Sequence, residues 1–238
     1  MPLGGERDEM GLRLPECVLF DLDGTLLDSL PGIAYSAREA FAQCGLAIGE
    51  VELRPLIGPP IRTILAKMAL ADTTGGLSEE QLDRLVRAFR ASYDSEGWKR
   101  TPHYAGAPEL LRELRTQGKR LFVVSNKPRP ISLRILQAAG TLGLFEEIVT
   151  RDSREQAYKD KQEMMRSLME RHGLQPRDCL MVGDTMEDAV AAMQTGMQFC
   201  LMTHGYGDVP PGPAVPVAFR FDRFSELMPA RRQEQGID

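Results

Sequence analysis

Histidine and cysteine are scarce in this chain, and their scarcity limits the metals that it can hold. Among 238 residues there are three histidines and four cysteines. No histidine has another histidine or a cysteine at the spacing of zinc ligands, and no two cysteines form a CxxC pair. These residues are His103, His172, His204, Cys17, Cys44, Cys179 and Cys200. The sequence therefore argues against a zinc site and predicts free, reduced thiols, so oxygen atoms should hold any metal.

Long apolar runs are also absent. No run approaches the roughly 20 apolar residues that a membrane-spanning helix needs, and segment 1–16 mixes both charge signs without the apolar core of a secretory signal. We therefore expect a cytoplasmic protein with no membrane partner. The formal net charge of −5 provides no long-range attraction for nucleic acid, so we expect no nucleic-acid partner. No sequence feature indicates an oligomeric state.

Short apolar runs are present, and their lengths suit buried β-strands. They span residues 17–20, 120–124, 147–150, 179–182, 198–202 and 217–221. Helical patterns, with apolar residues three or four apart, lie between most of them at 107–116, 130–139, 161–172 and 186–195. Because strands and helices alternate, the sequence predicts an α/β fold with a Rossmann-like, mostly parallel sheet and helices on both faces.

The stretch 29–99 interrupts this alternation with helical patterns and no convincing strand. Helices are predicted over 32–44, 60–71 and 78–93, the last with a capping box formed by Ser78 and Gln81. Proline and glycine in the flanking segments mark the points where the chain leaves and re-enters the sheet domain. The sequence thus predicts a core domain of residues 1–28 and 100–238, a helical domain inserted at 29–99, and disordered tails at 1–12 and 231–238.

Polar residues follow three of the apolar runs, where each predicted strand ends. Asp21 and Asp23 follow the first run, Ser125 the second, and Asp184, with Asp188 shortly after, the fourth. In an open parallel sheet, ligands bind outside the carboxyl ends of the strands. We therefore expect these side chains to meet in one crevice.

The aspartates at these strand ends predict a magnesium site. Asp21 and Asp23 are two residues apart, so in an extended segment their side chains leave on the same side, and Gly24 permits a turn. Adding Asp184 gathers three carboxylates, whose mutual repulsion is about 4 kcal/mol per pair at about 4 Å and an effective dielectric constant of about 20. A cation would relieve this repulsion, and Mg²⁺ prefers oxygen ligands.

Four motifs occur in an order that resembles the haloacid dehalogenase superfamily of phosphatases. They are DLDGTLLDS at 21–29, Ser125-Asn126, a lysine ahead of a helix, and GDTMED at 183–188. The resemblance covers nearly the whole chain and implies the core fold of that superfamily. The insert at 29–99 resembles the type-one helical cap of phosphoglycolate phosphatases, and segment 56–60 is similar to a cap segment common among them.

The resemblance implies a role for each aspartate. Asp21 looks like the nucleophile and, at an ordinary carboxyl pKa of about 3.9, would be ionised without the help of a base. Asp23 looks like the acid and base that protonates the leaving alkoxide and later activates water. The superfamily's magnesium would be bound by Asp21, the backbone carbonyl of Asp23, and Asp184.

The resemblance also implies a phosphate site. Ser125, with nearby backbone amides, would hold phosphoryl oxygens, and Thr25 and Asn126 are candidates for substrate contacts. Arg62 is a candidate for binding a distal anion of the substrate. Arg54 and Lys127 are weaker candidates for the same role.

One lysine is expected to neutralise charge on the phosphoryl group, and two positions fit. Lys159 and Lys161 both precede the predicted helix at 161–172. The spacing to Gly173 resembles that of relatives and favours Lys161, although the proline that usually follows this lysine is missing. Asp188 resembles the residue that supports the lysine or the water shell of the metal, and Glu187 is a weaker candidate.

The leading hypothesis is magnesium-dependent hydrolysis of a small phosphorylated metabolite through a phosphoaspartate, with a phosphoglycolate-like substrate. A nucleotidase, a sugar-phosphate phosphatase and a phosphomutase would use the same motif residues. A haloacid dehalogenase would have no need for Asp23, and a non-enzymatic regulatory module would normally lack one of the catalytic residues. The sequence therefore predicts a phosphoric monoester hydrolase.

Overall fold

The computed structural model describes residues 7–8, 11–12, 14–48, 52–70, 76–210 and 215–228. The tails for which disorder is predicted, 1–12 and 231–238, lie almost wholly outside the described residues. Only two short strands are described there, β1 (Arg7–Asp8) and β2 (Gly11–Leu12), and they pair antiparallel.

A six-stranded parallel sheet forms the centre of the molecule. Its strands are β3 (Cys17–Phe20), β4 (Arg120–Ser125), β5 (Glu147–Thr150), β6 (Cys179–Gly183), β7 (Gln198–Met202) and β8 (Phe219–Phe221). The strand order is β5-β4-β3-β6-β7-β8, and every neighbouring pair is parallel. The predicted α/β fold class is confirmed, and β3, β4 and β6 lie side by side at the centre.

Helices supply much of the rest of the core. They are α1 (Leu30–Gln43), α2 (Ile61–Leu70), α3 (Glu79–Ser95), α4 (Ala107–Thr116), α5 (Arg129–Ala138), α6 (Lys161–His172), α7 (Met186–Thr195) and α8 (Phe224–Leu227). Short 3₁₀ turns occur at Arg54–Leu56, Gly97–Arg100, Leu142–Leu144 and Pro176–Asp178. None of the described helices combines the length and the apolar character needed to cross a membrane.

The two faces of the sheet carry separate apolar clusters, because successive side chains of a strand point to opposite faces. Val18 and Phe20 of β3 join the cluster that contains α4 and α5. Leu19, between them, joins the cluster that contains α6 and α7. Cys17, Cys179 and Cys200 are buried and all four cysteines are free thiols, as predicted.

Between β3 and α4, the secondary-structure elements that the structure describes are all helices, joined by turns and isolated β-bridges. This stretch contains α1, α2 and α3, and Ser78 begins α3 with the predicted capping box. Its two ends meet, because the Asp28 amide donates to the Pro102 carbonyl at 2.9 Å and Leu27 forms a β-bridge with His103. The helical insert is thus anchored beside the end of β3, and its assignment as a separate domain at 29–99 remains a prediction.

Candidate active site

The three predicted strand ends lie next to one another in the sheet. Asp21 follows β3, and its backbone amide donates to the carbonyl of Val182 on β6 at 3.0 Å. Ser125 ends β4, and Asp184 directly follows β6. The structure therefore brings these residues together, as expected from the order of apolar runs and polar residues.

Three buried carboxylates form an acidic cluster at this edge. Asp21, Asp184 and Asp188 each offer an oxygen within 4.8 Å of the others. Burial is the main cause that raises the pKa of Asp21 to about 8, and the charges of Asp188 and Asp184 act in the same direction, against Lys161. Burial and the charge of Asp188 likewise raise the pKa of Asp184 to about 6. Without a bound cation, removal from water thus raises the pKa of Asp21 above the ordinary carboxyl value assumed from the sequence.

Lys161 is the cation of this cluster. Its Nζ lies 2.6 Å from Asp188 Oδ1 and 3.2 Å from Asp21 Oδ1, and its side chain is 2% exposed. Burial disfavours the ammonium form, but the two carboxylates outweigh burial and raise the pKa of Lys161. Lys159 is exposed, and its backbone amide donates to Glu163. The structure thus places Lys161, and not Lys159, in the site.

Asp184 and Asp188 are held by hydrogen bonds from the chain around them. Asp188 Oδ2 accepts from the Thr185 amide at 3.0 Å and from the Thr185 hydroxyl at 2.6 Å, in the capping box that begins α7. Asp184 accepts from the Thr25 hydroxyl at 2.8 Å and from the Tyr206 amide at 2.8 Å. Thr25, a candidate for substrate contact, is fully buried and instead supports Asp184.

The carboxylate of Asp23 stands apart from the acidic cluster. Its Oδ1 accepts from Lys127 Nζ at 2.8 Å and from the hydroxyl of Ser29. Asp23 is predicted to bind the metal through its backbone carbonyl and not through its side chain, so a side chain outside the acidic cluster does not conflict with that prediction. Lys127, considered above as a binder of a distal anion, is buried and fully engaged with Asp23 and Tyr93.

Ser125 and Asn126 line the same edge. Ser125 is 1% exposed, and its hydroxyl accepts from the Lys127 amide at 3.3 Å. Asn126 donates through Nδ2 to Glu187 at 2.9 Å, while its Oδ1 is buried and accepts no hydrogen bond within the described chain. Glu187, the weaker candidate for supporting the lysine, therefore contacts Asn126.

The structure does not bring Arg62 to the acidic cluster. Its guanidinium donates to Glu79 and Asp83, which are four residues apart and share one face of α3. Arg54 contacts the loop that follows β7 instead, because it donates to the carbonyls of His204 at 2.6 Å and Gly205 at 2.7 Å. Sequence patterns could not show these pairings, which join segments distant along the chain.

Gly24 is required where the chain turns after Asp23. Its φ is +86°, and a Cβ there would lie 2.3 Å from Asp184 Oδ2. We expect Gly24→Ala to abolish most activity and to cost more than the roughly 1–2 kcal/mol of a left-handed alanine. Gly118→Ala is the matched control, because its φ is +77° and no atom lies within 4 Å of its Cβ. Thermal unfolding and activity assays of both variants test this; equal behaviour of the two would contradict a steric role for Gly24.

Comparison with known proteins relates this chain to a family of hydrolases. A family model described as haloacid dehalogenase-like hydrolase matches residues 18–202. A phosphoglycolate phosphatase of Nitrosospira multiformis is 33% identical over 201 residues, which cover 84% of this chain and 88% of that protein. The tyrosine-protein kinase PtkA of Mycobacterium tuberculosis is 32% identical over 194 residues, 81% of this chain and 64% of that protein. The crystal structure of a predicted phosphoglycolate phosphatase from Haemophilus somnus 129PT superposes with a TM-score of 0.80 at 28% identity, covering 91% and 98% of the two chains.

Proposed function

We propose that this chain, which belongs to the haloacid dehalogenase-like hydrolase family, hydrolyses a small phosphate monoester through a phosphoaspartate on Asp21. The predicted enzyme class, a phosphoric monoester hydrolase, is confirmed by the family match and by relatives named phosphoglycolate phosphatase. One observation carries the proposed mechanism: Asp21 lies buried at the end of β3, beside Lys161 and two further carboxylates.

The acidic cluster fits a magnesium ion. Three carboxyl groups lie beside the ammonium group of Lys161 there, so further positive charge is needed to balance all three in their ionised forms. Asp21 Oδ1 is buried and accepts no hydrogen bond from the described residues, since Lys161 Nζ at 3.2 Å lies outside hydrogen-bond geometry. We propose Asp21, Asp184 and the backbone carbonyl of Asp23 as ligands, with Asp188 as their support. A bound Mg²⁺ would supply charge that stabilises the phosphoryl oxygens in the transition state.

In the first step, the ionised form of Asp21, which a bound cation would favour, attacks phosphorus through a carboxylate oxygen, and the bond between phosphorus and the ester oxygen breaks. Asp23 donates a proton to the departing alkoxide, which leaves as an alcohol. Ser125 and Lys161 hold the phosphoryl oxygens through this step. The product on the enzyme is an acyl phosphate at Asp21.

In the second step, a water molecule loses a proton to Asp23 and attacks phosphorus. The bond between phosphorus and the Asp21 oxygen breaks, which releases inorganic phosphate and restores both aspartates. The helical segment proposed as a cap would exclude other water molecules while the first step proceeds.

A substrate panel tests the proposed activity and its specificity. We propose a phosphoglycolate-like substrate, since phosphoglycolate phosphatases recur among the relatives. With Mg²⁺, release of inorganic phosphate should be fastest from phosphoglycolate among small phosphate esters, nucleotides and sugar phosphates. A faster nucleotide or sugar phosphate would overturn the substrate assignment. An isomer formed without free phosphate would indicate a phosphomutase, and transfer to a tyrosine peptide would indicate a kinase.

Magnesium should stabilise the protein more at about pH 8 than at about pH 5. The pKa values of Asp21 and Asp184 in the folded protein, about 8 and about 6, lie above the ordinary value of 3.8. Between about pH 4 and 8 the folded state therefore holds more protons than the unfolded state, so the stability of the metal-free protein falls as pH rises. A cation bound to the ionised carboxylates offsets that loss.

The melting temperature, measured with Mg²⁺ and with EDTA at both pH values, checks this expectation. Asp184→Asn should reduce the magnesium-dependent increase at about pH 8, because it removes one proposed ligand. An increase of equal size at both pH values would contradict the proposed ligands.

A further inference from the structure

A buried ammonium group lies beside Asp23 and takes part in none of the steps above. Lys127 follows β4, and its Nζ donates to Asp23 Oδ1 at 2.8 Å and to the Tyr93 hydroxyl at 2.9 Å. The side chain is 4% exposed. Burial disfavours the charged form, but Asp23 and Tyr93 outweigh burial and raise the pKa of Lys127. Lys127 is thus a positive charge held in the interior.

This ammonium group belongs to a chain of hydrogen bonds that joins both ends of the helical insert. The Ser29 hydroxyl, just before α1, donates to Asp23 Oδ1. On the other side of Lys127, the hydroxyl of Tyr93 on α3 shares a hydrogen bond with the Thr101 hydroxyl at 3.1 Å. Asp23 is therefore connected to the segment where the chain leaves the sheet and to the segment where it returns.

Both donors to Asp23 use the same carboxylate oxygen, Oδ1. Within the part of the chain that the structure describes, no donor is hydrogen-bonded to Oδ2. We propose that Lys127 is a positioning residue that anchors Asp23 through Oδ1 and reserves Oδ2 for proton transfer. Tyr93 makes this position depend on α3. The inference rests on the proposed phosphatase function and adds a residue to it.

The proposal assigns each proton to an atom. When the ester bond breaks, the proton on Asp23 Oδ2 moves to the leaving oxygen, and the electron pair of the broken bond stays on that oxygen. When water attacks the phosphoaspartate, Oδ2 takes a proton from the water. A carboxylate that rotates freely would spend less time with Oδ2 in position, so loss of Lys127 should slow proton transfer.

A merely structural ion pair would have a different signature. If Lys127 only stabilised the fold, its removal would lower the activity on every substrate by the same factor. A positioning residue for Asp23 affects chiefly the substrates whose leaving group needs a proton. The phenolate of 4-nitrophenyl phosphate departs without a proton. The alkoxide of an alkyl phosphate, such as glycerol phosphate or phosphoglycolate, needs a proton in order to depart.

The test compares kcat/KM for 4-nitrophenyl phosphate and for an alkyl phosphate in the chain of 238 residues. This constant covers substrate binding and the steps up to release of the alcohol, so it includes the proton donation by Asp23 and excludes the later hydrolysis of the phosphoaspartate. In Lys127→Met, kcat/KM for the alkyl phosphate should fall by roughly 10- to 100-fold more than that for 4-nitrophenyl phosphate, part of the contribution of a general acid. Asp23→Asn provides the benchmark for complete loss of the donor.

Tyr93→Phe, which removes one oxygen atom, should show a smaller selective loss and keeps the test usable if Lys127→Met does not fold. Equal losses on the two substrates, or no loss in either variant, would overturn the proposal. Wild-type protein that hydrolyses neither substrate would instead overturn the proposed function, and the positioning role with it.

Discussion

Asp21→Asn is expected to lower kcat by roughly 10⁴-fold or more, because it removes the nucleophile on which both chemical steps depend. The same substitution should leave the metal-free protein at least as stable as wild type. Burial and the charges of Asp188 and Asp184 outweigh Lys161 and raise the pKa of Asp21 to about 8. Near or above that pH a neutral amide of similar size relieves repulsion, and below it the amide replaces an uncharged, protonated carboxyl. Activity and melting temperature of the same preparation measure both effects.

Asp94→Asn is a suitable control for this substitution. Asp94 is an exposed residue of α3, so the same chemical change there should leave both activity and melting temperature near wild type. Asp21→Asn protein that keeps more than a small fraction of wild-type kcat would contradict a nucleophilic role. A strongly lowered melting temperature would contradict the expected relief of repulsion.

Lys161→Met should be the most destabilising of the active-site substitutions. Removing one partner of a buried ion pair typically costs about 3–5 kcal/mol, because the remaining charge stays buried without compensation. Here the ammonium group contacts Asp188 and Asp21 at once. We expect a loss of that size in the free energy of unfolding without metal, partial recovery with Mg²⁺, and activity lowered by at least about 100-fold.

Lys159→Met gives a matched control for Lys161→Met. The two lysines are two residues apart, yet Lys159 is exposed and Lys161 is buried. In denaturant unfolding with EDTA and with Mg²⁺, and in assays of phosphate release, Lys159→Met should behave like wild type. Equal effects of the two substitutions would contradict the assignment of the phosphate-binding lysine to Lys161.

Much of the fold could be predicted because local patterns determine it. The bounds of α4, α6 and α7 agree with the predicted helices, since the apolar spacing is clear and Gly173 and Gly196 end two of them in the left-handed conformation. The last strand was predicted over 217–221 but is Phe219–Phe221. Among the described strands it pairs with β7 alone, at the edge of the sheet. The residue at which it begins is therefore determined by this pairing, which the sequence does not show.

The active site was predictable to the extent that its residues follow strand ends. Asp21, Ser125 and Asp184 meet because β3, β4 and β6 are neighbours. The engagement of Lys127 with Tyr93 was missed, because it joins α3 of the helical insert to the residue pair after β4, 34 positions further along the chain. The adjacent Ser125-Asn126 motif was the only local signal for Lys127.

Burial and long-range pairing account for the other differences. The raised pKa of Asp21 depends on its removal from water, and a spacing of two residues from Asp23 cannot reveal that. Arg62 is bound by two carboxylates of α3, and no pattern in the sequence specified how α2 would face α3. Such features depend on the packing of distant segments.

The most direct measurement is the location of the phosphoryl group during turnover. Enzyme mixed with Mg²⁺ and an excess of phosphoglycolate, quenched in acid and digested, should yield one phosphorylated peptide, with the phosphoryl group on Asp21. Asp21→Asn protein treated in the same way should yield none. Rapid turnover without any phosphorylated peptide, or with the group on another residue, would contradict a covalent intermediate on Asp21.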